Sequence, residues 1–81
     1  MRVSVTAFAR ARELLGESRR TVLLPAAAVA DDVWAALASE VPEFEALRAS
    51  VRIARDGRIV AGQEPLNEGD EIALLPPFGG G

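Results

Sequence analysis

The 81-residue chain has no histidine, no cysteine and no lysine. Each absence removes a class of chemistry. Without histidine or cysteine there is no Ser-His triad, no thiolate nucleophile and no zinc site of the usual kind. Without lysine there is no Schiff base, and no lysine-linked chain of this protein can form. The lack of cysteine also leaves a thin core without disulfide reinforcement, which is compatible with the cytosol. No apolar run approaches the roughly 18 residues that span a membrane. Met1 leads directly into a strand-like segment, so no signal peptide is expected, and the expected location is cytoplasmic. All nine basic residues are arginine, set against twelve acidic ones for a net charge of −3. That balance argues against nucleic acid as the main partner.

The carboxylates that remain are scattered. None falls at metal-ligand spacing, so no metal site is expected. The terminal glycines open no helix and form no phosphate-cradling loop. Asp31 and Asp32 read as helix-start residues, favoured there by the helix dipole. Glu64, Glu68, Asp70 and Glu71 read as a solvated charged face around a turn, or as an acidic patch for a basic partner. A self-contained active site is not expected.

What is present is a pattern of two periods. In "RVSVTAF", Val3, Val5 and Ala7 alternate with Arg2, Ser4 and Thr6, which marks a half-buried strand. In "ARARELLG" the period becomes helical, with Phe8, Ala11 and Leu15 on one stripe and Gly16 as a left-handed cap. "RRTVLLP" returns to a strand ended by Pro25. "AAAVADDVWAALASEVP" reads as the main helix, with Val29, Val33, Leu37 and Val41 as its stripe, Ala36 beside it and Pro42 as its stop. Trp34, slightly off the stripe, is expected to cover the edge of the core.

"EFEALRAS" holds a further helical turn carrying Phe44 and Leu47. "VRIARDGRIV" is a hairpin with Asp56-Gly57 at its turn. "PLNEGDEIALL" supplies a turn over Asn67–Gly69 and a last strand. Ile72 and Leu74 point to one face of that strand, and Glu71, Ala73 and Leu75 to the other. The expected architecture is therefore α+β. A mixed sheet of four to five strands carries one main helix packed across it, in the order of the β-grasp, or ubiquitin-like, fold. Residues 1–75 form that domain and 76–81 an extended C-terminal tail.

The tail, "PPFGGG", has a physical reading. Pro76 and Pro77 donate no backbone hydrogen bond and end the sheet ladder. They also favour extended geometry, which directs the chain away from the body. Six residues reach about 20 Å at ~3.3 Å each. Gly79, Gly80 and Gly81 carry no side chains, so the tail is narrow enough to thread a slot in another protein. The reactive group would be the α-carboxylate of Gly81. Leu75, expected to be exposed next to Phe78, suggests a partner-binding apolar patch beside the tail.

The opening strand with "FARARELLG", the Ala-rich helix ending in "VP", the turn "PLNEGDEI" and above all "LLPPFGGG" resemble the small subunit of molybdopterin synthase. That family is the ubiquitin-like sulfur carrier of molybdenum-cofactor biosynthesis. The likeness covers nearly the whole chain. Three departures stand out: "AAAVADD" in place of a Thr or Ser helix start, Arg55 where Asn is common, and Gly79 where Ser, Ala or Thr is common.

The resemblance implies a non-catalytic, sulfur-donating subunit with no bound cofactor. Gly81 would be adenylated with ATP by an E1-like activating enzyme and converted by a sulfur donor to a thiocarboxylate. The tail, with Pro76 and Pro77 setting direction, Phe78 following and Gly79 and Gly80 giving clearance, would then insert into the large synthase subunit. There the sulfur passes to a pterin precursor to build the dithiolene. Two small and two large subunits are implied. Three other readings share some of these features: a thiamine-pathway sulfur carrier, a ubiquitin-like protein modifier, and an interaction module with an inert tail.

Overall fold

The computed structural model describes residues 1–77; the expectations for Phe78, Gly79, Gly80 and Gly81 lie outside the described residues. In chain order the elements are β1 (Arg2–Ala7), α1 (Ala9–Leu15), β2 (Arg19–Leu23), α2 (Asp31–Glu40), α3 (Phe44–Leu47), β3 (Arg52–Arg55), β4 (Arg58–Ile59) and β5 (Glu71–Leu75). The five strands form one sheet in the order β2-β1-β5-β3-β4. β1 runs antiparallel to β2 and parallel to β5, while β3 runs antiparallel to both β5 and β4. The last strand therefore occupies the middle of the sheet. This is the mixed sheet of the β-grasp fold.

Alternation decides which face builds the core. Val3, Val5 and Ala7 of β1 and Ile72 and Leu74 of β5 are at most 1% exposed. They pack with Val33, Trp34 and Leu37 of α2 and Phe44 of α3 in a single cluster. Burying a side chain of this size contributes about 1.5–3 kcal/mol. Phe44, the largest fully buried side chain, confirms the short helical turn read after Pro42. Trp34 is itself buried in the cluster.

Turns follow the local residues. Gly16 takes φ 82° and its N–H donates to the Arg12 carbonyl at 2.9 Å, closing α1. Asp56 and Gly57, at φ 48° and 88°, make the two-residue connection between β3 and β4. Positive φ at both central residues is what such a hairpin requires.

Two expectations are corrected. The alanine run 26–30 is not the first half of the main helix. Ala27 has φ 62°, and Val29 forms a β-bridge with Pro65. The Ala30 N–H donates to the Glu64 carbonyl at 2.9 Å, and the Leu66 N–H to the Ala28 carbonyl at 3.0 Å. Pairing with the loop before β5 satisfies this backbone outside any helix, overriding alanine's helical preference. Asp32 then accepts from the Val29 N–H at 2.8 Å, and α2 starts only at Asp31.

The second correction concerns Phe8. It does not join Ala11 and Leu15 in the buried stripe of α1. Its backbone is extended, at φ −131° and ψ 158°, and it is 45% exposed. Phe8 continues the β1 alternation for one more residue.

Candidate functional site at the C-terminal exit

On the outer face of the sheet, opposite the helices, one half is mainly polar, with Leu23 exposed opposite Arg2 as its exception, and the other half is mainly apolar. Register places Ser4 opposite both Thr21 and Glu71, and Thr6 opposite both Arg19 and Ala73. Arg19 bridges this polar region, donating to Glu71 at 3.1 Å and to Ser4 Oγ at 3.3 Å. At the same end Arg2 and Glu68 approach to 4.0 Å. These are exposed pairs, and each contributes little stability.

The other half is apolar. Ala54 stands opposite Ala73 on β5 and opposite Ile59 on β4, and Arg52 stands opposite Leu75. Ala7 pairs with Leu74 as the last rung of the parallel ladder, so Phe8 and Leu75, each one residue further on, lie at the same end of the sheet. Ala54 is 5% exposed yet belongs to no part of the main core cluster. It lies under an apolar layer of its own on the outer side. Phe8 and Ile59, at 45% and 53% exposure, are two of the three exposed large hydrophobic residues among those described. Leu75 is half-buried rather than fully exposed, because it stands within this layer and not alone on the strand.

The chain leaves the sheet at this point. Pro76 and Pro77 are exposed and follow Leu75 without further strand structure. Phe8, Leu75 and the start of β3 therefore ring the place where the C-terminal segment departs. Beneath the exit lies a cleft of about 540 Å³, lined by Trp34, Ile53, Val60, Arg48, Arg52 and Pro77, among others. Across its wall Arg48 pairs with Asp31 at 3.3 Å and with Glu45 at 3.4 Å. The Asp31 and Glu45 carboxylates hold the Arg48 guanidinium above its ordinary pKa.

The structure brings together Leu75, Pro76 and Pro77 from the sequence-derived site, and adds Phe8 and Ile59. Phe8 was legible as a continuation of the period of two through Arg2, Ser4 and Thr6, but the helical spacing to Ala11 and Leu15 competed with it. Ile59 follows from the two-residue turn, which sets Ala54 opposite it. Gly81, Gly80, Gly79 and Phe78 lie outside the described residues.

The carboxylates near the turn divide: Glu68 and Glu71 are solvent-exposed, as a charged face would be, whereas Glu64 and Asp70 are drawn to Arg55. Arg55 donates to Asp70 at 2.7 Å and to Glu64 at 3.1 Å. Asp70, 7% exposed, also accepts from the Asn67 N–H at 2.7 Å. Burial pushes the Asp70 carboxyl up, but the Arg55 guanidinium and the Asn67 N–H outweigh it and hold the group below its usual value. Arg55 thus ties the end of β3 to the turn before β5. Among the described residues, no group of three or more acidic side chains converges as a metal site would require. None of their helices is long and apolar enough to cross a membrane.

Comparison with known proteins agrees with this geometry. A family described as the ThiS family matches residues 5–81. A molybdopterin synthase sulfur carrier subunit from Chlamydomonas reinhardtii is 31% identical over 83 residues, covering 100% of both chains. A putative molybdopterin converting factor subunit 1 from Pyrococcus furiosus is 30% identical, with a TM-score of 0.86 over 96% of this chain and 99% of that one. SAMP1 from Haloferax volcanii is 28% identical, with a TM-score of 0.84 over the whole of both chains. The same fold recurs, at 24% identity and a TM-score of 0.69 over the whole of both chains, in a structure of a complex of subunits 1 and 2 of molybdopterin-converting factor from Helicobacter pylori. The chain belongs to the ThiS family and is a homologue of molybdopterin synthase sulfur carrier subunits.

Proposed function

We propose that this protein carries sulfur on its C-terminal carboxyl group for molybdopterin synthase. The carboxylate of Gly81 attacks the α-phosphate of ATP on an E1-like activating enzyme, and pyrophosphate leaves. A donor at the oxidation level of sulfide then attacks the acyl carbon and AMP leaves, giving a thiocarboxylate. The tail next enters the large synthase subunit and its sulfur passes to the pterin precursor. Hydrolysis returns Gly81 to a carboxylate. The carrier needs no catalytic side chain of its own, because each chemical step occurs on a partner.

One observation carries this reading: the apolar half of the outer face adjoins the point where β5 leads into Pro76 and Pro77. Apolar surface beside a threading segment fits a partner that grips the body and swallows the tail. On this basis Phe8, Ile59 and Leu75 contact the large subunit. Pro76 and Pro77 aim the tail, Phe78 extends the apolar contact, and Gly79 and Gly80 give clearance.

A second reading has support from the similarity to SAMP1, a small archaeal modifier protein. In that case Gly81 would end in an isopeptide bond to another protein. Intact mass after incubation with an activating enzyme, ATP and a sulfide source distinguishes the two. A carrier replaces one oxygen by sulfur. A modifier instead appears as high-mass adducts in lysate, and a chain unchanged in both assays refutes both.

A further inference from the structure

Resting on the outer face as the docking surface, we infer that Arg52 selects the partner by pairing with a carboxylate on the large subunit's surface. Six of the nine arginines already have a carboxylate within 4.0 Å: Arg2, Arg10, Arg19, Arg20, Arg48 and Arg55. Arg12, Arg52 and Arg58 have none among the described residues. Arg12 belongs to α1. Arg58 stands opposite Arg55, and so on the other face of β4 from Ile59. Arg52 alone of the three lies on the outer face, directly opposite Leu75.

Its surroundings make the need specific. Arg52 and Arg48 both line the cleft under the exit. Arg48 is neutralised there by Asp31 and Glu45, and Arg52 is not. A partner that covers Phe8, Ile59 and Leu75 with apolar surface also strips water from Arg52. An unpaired charge desolvated in this way opposes binding. A carboxylate meets the planar guanidinium with two parallel hydrogen bonds and restores the loss. A surface with the right apolar shape but no carboxylate is thereby rejected, so the cation confers discrimination more than raw affinity.

The test measures binding of the full-length chain to the purified large synthase subunit of the same organism, at low and high salt. Arg52→Glu should weaken binding about ten-fold at low salt and flatten the salt dependence. Arg52→Gln should fall between it and the parent. Arg2→Glu changes charge equally, at the far end of the same face, and should leave binding within about two-fold. Replacing the facing carboxylate of the large subunit by arginine should restore binding to Arg52→Glu. Arg52 variants that bind as the parent does would overturn the assignment. If Leu75→Glu nevertheless abolishes binding, the docking face stands and only the role of Arg52 falls. If Leu75→Glu also binds normally, the docking face falls with it.

Discussion

Successive residues of β5 serve opposite purposes. Ile72 and Leu74 are at most 1% exposed and join the helices in the core. Ala73 and Leu75, one position away, lie outside the core cluster in a separate apolar layer with Ala54 and Ile59. One strand thus holds the molecule together with one face and carries a second apolar layer, the proposed docking surface, on the other. Because β5 is also the middle strand of the sheet, the segment that leaves it starts from a strand paired on both sides. A tail hung from an edge strand would start from backbone that frays more readily.

The contrast between the two faces can be broken in four ways. The largest effect is expected from deleting Gly81, which should abolish sulfur loading in an intact-mass assay and leave the melting temperature unchanged. Next, Leu74→Ala should lower the unfolding free energy by about 2–5 kcal/mol, read from urea titrations, because it opens a cavity in the core. Leu75→Glu should do the converse. It should cost about 2 kcal/mol of binding to the large subunit, roughly thirty-fold in Kd, with near-parental stability. Equal loss of stability in the two variants would erase the distinction between the faces.

The smallest effect concerns the turn before β5. The Asp70 carboxyl is held below its usual pKa, so its stabilisation is present above the unfolded-state value of about 4 and is lost as pH falls through the folded-state value. Asp70→Asn should therefore melt lower than the parent at neutral pH, and the two melting curves should converge in acid below about pH 4. A melting difference that persists unchanged into acid would remove the Arg55–Asp70 pair from the forces that set the register of β5.

Much of this architecture was readable from local periodicity. The alternation of Val3, Val5 and Ala7, the Asp56-Gly57 turn and the split faces of β5 are short-range signals, and the structure repeats them. What was hidden depended on partners distant in sequence. The alanine run before Asp31 looks helical until Pro65 and Glu64 are brought against it. Asp70 looks solvated until Arg55, fifteen residues earlier, arrives beside it. Phe8 and Leu75 are brought to the same end of the sheet only through the parallel pairing of the first and last strands. The tail motif was plain in the sequence, whereas the apolar layer that surrounds its departure required the sheet order.

The emptying of the carrier is the most direct measurement. Chain bearing a C-terminal thiocarboxylate is mixed with the large subunit and the pterin precursor under single-turnover conditions, and its intact mass is followed over time. The expected result is return of Gly81 to a carboxylate at the rate at which dithiolene product appears, with loss of that rate in Leu75→Glu. A thiocarboxylate that persists while product forms, or one that empties equally fast without the large subunit, would contradict the proposed role.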